Sequence, residues 1–419
     1  MLESLAKDRF TRWVFALACL FVLIQSSWES TGHHDRARLA TVEAIVDYGT
    51  WRIEASRYDT IDKISHRGHL YASKPPMMPA LMSVAYAAIK QATGRTFLNG
   101  EWIVIKLLSI LCLGVPYLLF VLGWANLLHT LTNDRWTYRY CLIAGAFGNY
   151  VAGYAVIINN HTLASVALFG AVYNAVLLAH KKGHPHNRLL AAGFFAGLAP
   201  TFEFPAAAAA ALLFLALAHQ SGLRKTLTWA APAACIPLAA HFILNAIATD
   251  GSLLPFYMIG DYKYPGSYWL NPQSFDTLNE PKSFYFFNIL IGHHGIFSLT
   301  PIWLLSAITL ARGLRDPKAT FATFAWVLAG TLAITLPWFV FKTANYGGGA
   351  QGFRWLFWLT PLLLVLLVPA VERLRSGLAW ALASAALAFS VFTALFVAQS
   401  PWGQSPMHLI FNWLGIIDY

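Results

Sequence analysis

Eleven stretches of this chain are apolar and long enough to form helices that cross a lipid bilayer, and no other feature constrains its fold as much. A crossing helix needs about 20 largely apolar residues, fewer when aromatic or basic side chains anchor its ends. Stretches of this kind cover 13–28, 102–128, 136–157, 162–180, 188–199, 202–219, 226–248, 296–310, 321–341, 355–371 and 378–398. Composition agrees. Of 419 residues, 57% are hydrophobic and 11% charged, whereas a soluble domain is about a quarter charged because its surface must be hydrated. The expected fold is an all-α polytopic membrane protein, a single domain over 1–419. A cytosolic enzyme, a nucleic-acid binder and a disulfide-stapled secreted module are excluded. Cys19, Cys112, Cys141 and Cys235 lie within apolar runs without metal-ligand spacing and read as small buried hydrophobes.

Lys and Arg in short loops stay on the cytoplasmic side. Basic clusters occur at Lys7/Arg9/Arg12, Lys181/Lys182/Arg188, Arg224/Lys225, Arg312/Arg315/Lys318 and Arg373/Arg375. All of them fall inside only if a twelfth apolar stretch, 76–89, is a short re-entrant or interfacial helix. That gives eleven crossings, a cytoplasmic N-terminus and an outer C-terminus. The net charge of +10 then reflects loop bias. The N-terminal run reads as an uncleaved anchor, since Trp28 and Glu29 interrupt any small-residue cleavage site.

This arrangement gathers the unusual chemistry on the outer face, in long loops 29–74 and 249–284 and in shorter turns. A transporter or lipid flippase would place its ionisable groups near the bilayer midplane. Here the helices contain little of that kind beyond Lys106 and His241. Loop 29–74 carries an amphipathic juxtamembrane helix: Leu39, Val42, Ile45 and Val46 recur at helical spacing, and Gly49 is a C-terminal stop. Asp35 stands at its start, placed to cap free backbone N–H groups, to accept a proton from a hydroxyl, or to do both. The loop ends at Lys74-Pro75-Pro76, where the prolines impose an extended entry to the next segment. Lys74 there suits a headgroup anchor or a phosphate contact. His33, His34, His161, His293 and His294 share this face with Asp35, enough ligands for a divalent ion, although no HxxxH or HxxE spacing organises them. Interfacial hydrogen bonding is the plainer use. The glycine-rich run 345–352 leads into Arg354, a possible anion site, and the Tyr- and Trp-rich run 261–269 suits sugar rings or lipid headgroups.

Asp35-x-x-Arg38, a helix ending Asp47-Tyr48-Gly49-x-Trp51, and Tyr71-x-x-Lys74-Pro75-Pro76 together resemble the C superfamily of membrane glycosyltransferases (GT-C). Lipid A aminoarabinose transferases and protein O-mannosyltransferases look most alike. The motif resemblance covers 29–76; beyond it the likeness is one of topology. Ser73 stands where the aminoarabinose enzymes have Glu, and Asn159-Asn160-His161 where many relatives place a second carboxylate. By resemblance Asp35 matches the catalytic carboxylate, Arg38 the helix arginine and Lys74 the lysine on the carrier phosphate. Arg354 is a further phosphate candidate, and Tyr71, Asn159, Asn160, His161, His293 and His294 are candidates on the sugar or acceptor side.

The resemblance implies transfer of a sugar from a polyprenyl-phosphate donor to a lipid, polysaccharide or protein acceptor on the outer face, in a membrane that leans bacterial. Membrane lipids are expected partners and nucleic acid is not. A ligase using a diphosphate-linked oligosaccharide is the nearer rival; a transporter is the more distant one. Whether a divalent ion assists is left open. The topology predicts that cysteines placed at Asn160, His294 and Gly349 react with a membrane-impermeant reagent in intact cells, and that cysteines at Lys182 and Arg315 do not. The opposite labelling would reverse the orientation.

Overall fold

A computed structural model describes residues 8–319, 321–343 and 345–417; Lys7 of the first basic cluster lies outside them. Six helices among the described residues are long and apolar enough to cross a membrane: Phe97–Leu131, Asn160–Ala179, Leu223–Ala248, Ala322–Lys342, Arg354–Val371 and Gly377–Gln399. Of the other expected spans two are broken, and 13–28, 188–199 and 202–219 correspond to the helices Arg9–Gln25, Pro185–Phe202 and Ala206–Ser221. Arg9–Gln25 has 17 residues, begun by Asp8, whose carboxylate accepts from the N–H groups of Phe10 and Thr11. The stretch 136–157 divides into Arg135–Ala146 and Tyr150–Tyr154. Asn149 sits at the break, its Oδ1 accepting from Val151 N and its Nδ2 donating to the Ala144 and Gly145 carbonyls. Stretch 296–310 separates into Ile296–Leu299 and Trp303–Arg315, with Pro301 between them. Pro185–Phe202 and Ala206–Ser221 are parted at Glu203–Pro205.

Met77–Thr93, the segment after the two prolines, is not one of the six crossing helices. It packs against the juxtamembrane helix His33–Tyr48, and Asp47 ties the two together. The Tyr86 hydroxyl donates to Asp47 over 2.8 Å, and Lys90 Nζ lies 2.6 Å from the same carboxylate. Gly49 closes the juxtamembrane helix in the left-handed region at φ 67°, as its position in the sequence requires.

The chain is not wholly helical. Strands β1 (Lys63–His66) and β2 (His69–Ala72) form an antiparallel hairpin in register Ile64↔Tyr71. Arg67 and Gly68 both have positive φ, the geometry of the two-residue turns that match strand twist. Ser65 also bridges to Asp261, which fastens the second long loop onto the first.

Backbones approach closely where Pro185–Phe202 crosses Leu223–Ala248. A Cβ on Gly193 would lie 2.1 Å from the Ala230 carbonyl oxygen, and one on Gly197 would lie 2.4 Å from that of Ala234. Gly193-x-x-x-Gly197 facing Ala230-x-x-x-Ala234 is the small-residue seam through which helices pack in lipid, where apolar transfer gives no drive between helices. Gly197→Leu must force this seam apart. It should destabilise the protein by about 1–3 kcal/mol, read as a fall in melting temperature in detergent, while Leu198→Ile should shift it little.

Candidate functional site

The N-terminus of His33–Tyr48 shapes the site. Asp35 is the third residue of the helix rather than its cap, and its carboxylate reaches back. One oxygen accepts from Gly32 N over 2.8 Å and from Arg36 N over 3.1 Å; the other accepts from the Thr31 N–H and hydroxyl. Asp35 is 2% exposed. Burial raises its affinity for a proton, and the N–H groups around it pull the other way without cancelling that effect. Trp402 holds this corner from the far end of the chain, its Nε1 donating to the Thr31 hydroxyl over 2.8 Å. A side chain on Gly32 would collide with the Trp402 ring, since its Cβ would lie 2.8 Å from Cδ1.

A cavity of about 710 Å³ opens beside this corner. Its walls come from the start of the juxtamembrane helix, residues around Asp62 and Lys74, loop 262–272, the glycine run after Asn345, and Trp402. Four ionisable side chains form a continuous chain along the wall. Lys74 Nζ lies 2.9 Å from Asp62 Oδ2, and His34 Nδ1 lies 2.5 Å from the same oxygen. The other ring nitrogen of His34 is 2.7 Å from Arg354 Nη2. Burial and the neighbouring Arg354 charge push His34 down to about 3, so it is neutral at physiological pH. A neutral ring fits both neighbours, with Nδ1–H donating to Asp62 and Nε2 accepting from Arg354.

Burial opposes ionisation of Asp62, but His34 and Lys74 beside it hold its carboxyl well below the usual range. Lys74 is lowered by burial, with Asp62 resisting the shift. Arg38 is lowered to about 10 by burial and by Arg354. The Arg354 guanidinium lies 5.2 Å from the Trp402 ring centre, within cation–π range. No ion pair joins Arg354 to a carboxylate among the described residues, and its buried Nε has no hydrogen-bond partner. Gly347, at φ 94°, leaves room for it: a Cβ there would lie 2.9 Å from that Nε.

Behind the wall runs a second polar network. Arg38 donates to the His34 carbonyl and to Asn160 Oδ1. Asn160 Nδ2 donates to the Phe202 carbonyl and to Glu203, whose Oε1 lies 2.7 Å from His161 Nδ1. The helix break before Pro205 thus brings a buried carboxylate to the turn read as Asn159-Asn160-His161.

The remaining candidates lie elsewhere. Asn159 caps Asn160–Ala179, accepting from Thr162 N and donating to the Tyr154 and Ile157 carbonyls. Tyr71 stacks on Phe256 with ring centres 4.2 Å apart. His293 and His294 are buried against Tyr346 and His408. His33 is exposed at the cavity rim, and His161 belongs to the inner network. The five histidines are therefore divided among three places: His33 and His34 at the cavity, His161 in the inner network, and His293 with His294 beside His408. No three His, Cys, Asp or Glu side chains among the described residues could share a metal ion. Asp62, Glu203 and Trp402 were not singled out from the sequence. Asp62 was one of seven carboxylates balancing a neutral loop, with no local motif to mark it.

The fold is shared with solved membrane-protein structures, and its long apolar helices make it a multi-pass membrane architecture. Among solved structures, the chain is similar to ArnT from Cupriavidus metallidurans bound to undecaprenyl phosphate, at 15% identity and TM-score 0.60, covering 90% of this chain and 62% of that one. It is also similar to the Archaeoglobus fulgidus oligosaccharyltransferase in complex with Zn and sulfate, at 14% identity and TM-score 0.56, covering 96% of this chain and 55% of that one. The chain thus spans about three fifths of the length of these structures. No protein-family profile matches the sequence, and no curated protein matches it.

The ionised Asp62 carries a pH signature. Its folded pKa lies below the ordinary 3.8, so its contribution to stability is present above that value and is lost as the pH falls through the lower one. Asp62→Asn removes the contribution. The melting-temperature gap between wild type and variant should be widest near neutrality and should narrow as the pH falls below about 4. A gap independent of pH would mean that Asp62 is not ionised in the fold.

Proposed function

We propose that this protein transfers a sugar from a polyprenyl-phosphate carrier to an acceptor on the outer face of the membrane. The observation that carries the proposal is the preplaced cation set at the cavity, Lys74 and Arg354 on the wall with Arg38 behind, at the loop end of a GT-C fold. As the bond between the anomeric carbon and the carrier phosphate breaks, negative charge builds on the phosphate oxygens. Cations already in place stabilise that charge without reorganising during the step. The likeness to an ArnT structure bound to undecaprenyl phosphate agrees with a lipid phosphate as ligand. Tyr262 and Trp269 also line the cavity and supply aromatic rings for the sugar.

In this proposal Asp35 takes the acceptor's proton, as the motif resemblance implies. Asp35 does not line the cavity and its carboxylate is held by Thr31 and Gly32, so it acts once that shell of hydrogen bonds opens. Asp35→Asn tests the role. Asn keeps the size and can still accept from Gly32 N, yet it cannot act as a base at neutral pH. The expected outcome is a folded protein that binds lipid phosphate, with transfer slowed by about a hundredfold or more. A normal rate would confine Asp35 to its helix-start bonds and pass the base role to a carboxylate that lines the cavity, Asp62 or Asp276. The oligosaccharide-ligase reading is tested in the same assay by offering monophosphate- and diphosphate-linked donors side by side.

A further inference from the structure

Lys74 and Arg354 do not stand as an open anion site. Between them lies an internal bridge, Asp62 and His34, that contacts both cations. Asp62 is 6% exposed, lines the cavity, and is the only carboxylate within ion-pair distance of Lys74 among the described residues. Its position is set by backbone rather than chance. Ser73 N donates to the Asp62 carbonyl over 2.9 Å, which pins the residue beside the one preceding Lys74. Asp62 N in turn donates to the Thr60 hydroxyl, and that hydroxyl donates to the His33 carbonyl. The carboxylate, its lysine and the start of the juxtamembrane helix therefore form one tied unit.

The charges facing Asp62 define what it can do. Lys74 and neutral His34 touch it; Arg354 reaches it through His34; Arg38 lies behind. Nearby carboxylates are committed elsewhere: Glu203 to His161 and Asn160, Asp35 to its own helix start, and Asp276, which also lines the cavity on the Arg354 side, to Asn345 and Tyr268. A phosphate drawn to Lys74 and Arg354 must come close to the Asp62 carboxylate. Two anions then compete for one ammonium group.

We propose that Asp62 is a resident counter-ion that holds the place of the carrier phosphate, yields Lys74 when a lipid phosphate binds, and takes it back as the phosphate leaves. The proposal rests on the lipid-phosphate reading above. It explains how a buried lysine stays charged between one ligand and the next, since an unpaired ammonium there would carry the full cost of desolvation. It also gives product release a physical driver. The departing carrier phosphate carries more negative charge than the sugar-linked donor, and the same cations would hold it more tightly. A carboxylate waiting to reclaim Lys74 opposes that trap. Asp62 is a positioning residue in this role, with no bond made or broken at it.

Farnesyl phosphate serves as the probe, farnesol as its uncharged control and inorganic phosphate as the headgroup alone, each titrated into purified full-length protein. Lys74→Ala should weaken farnesyl phosphate binding at least tenfold. Asp62→Asn should tighten it by about tenfold and leave farnesol unchanged, because it removes the competing anion. Turnover of Asp62→Asn should fall while its KM also falls, the split expected when release becomes slow. Inorganic phosphate should follow the same order of variants if the headgroup alone drives the exchange, and its failure to do so assigns the exchange to the lipid-bound form. The double variant Asp62→Asn/Lys74→Ala removes both charges, avoids a buried unpaired lysine and should bind no better than Lys74→Ala. If Lys74→Ala weakens binding and Asp62→Asn weakens it too, Asp62 merely aims the lysine and the counter-ion proposal is overturned. If Lys74→Ala binds normally, the lipid-phosphate reading itself fails and takes this proposal with it.

Discussion

Lipid offers backbone groups no hydrogen-bond partner, so a chain solvated by lipid can break its helices only where protein stands in for water. The breaks in this structure obey that constraint. Asn149 and Asn159 are both buried, and each bonds the carbonyls and N–H groups that its helix interruption sets free. Asn160 does the same for the Phe202 carbonyl where Pro185–Phe202 ends. The same interruptions supply the polar side chains of the inner network, so the site is built from the places where the helical ladder has to be repaired.

Two polar layers result, and they differ in what they can do. The inner layer, Arg38 with Asn160, Glu203 and His161, is hydrogen-bonded within itself and joins three helices behind the cavity. Buried and paired, it is costly to disrupt, because removing one partner leaves another unsatisfied in a low-dielectric interior. The outer layer, Lys74 with Asp62, His34 and Arg354, borders open volume. Its charges are paired well enough to be stable and remain within reach of a ligand. A catalytic site that must bind an anion and then release a more highly charged one benefits from this intermediate state.

The cations of both layers were legible in the residues. Lys74 before two prolines, Arg38 one turn after Asp35, and Arg354 after a glycine run all carried a physical reason to be singled out, and the fold brings them near one another. Asp62 was not legible. It belongs to a loop of balanced charge, and only the hairpin Lys63–His66/His69–Ala72 folds it back beside Lys74. Glu203 was hidden in the same way, as an acidic residue in a short turn whose importance depends on a helix from another part of the chain. The histidines, grouped in the sequence only by an expected membrane face, are divided by the fold between the cavity, the inner network and the cluster of His293, His294 and His408.

By itself the sequence determined the solvent of this protein, its helical class, the clustering of its chemistry at one end, and the juxtamembrane helix with its glycine stop. Those properties follow from local composition and periodicity, which act over a few turns of chain. Tertiary structure alone decided where the expected spans break, that Asp35 reaches back along its helix start instead of capping it, and that Trp402 closes the site from more than 350 residues away. It also decided which carboxylate meets Lys74. Such pairings depend on distances between segments far apart in the chain, and a charge in a loop acquires its partner only when the loop has a place to lie.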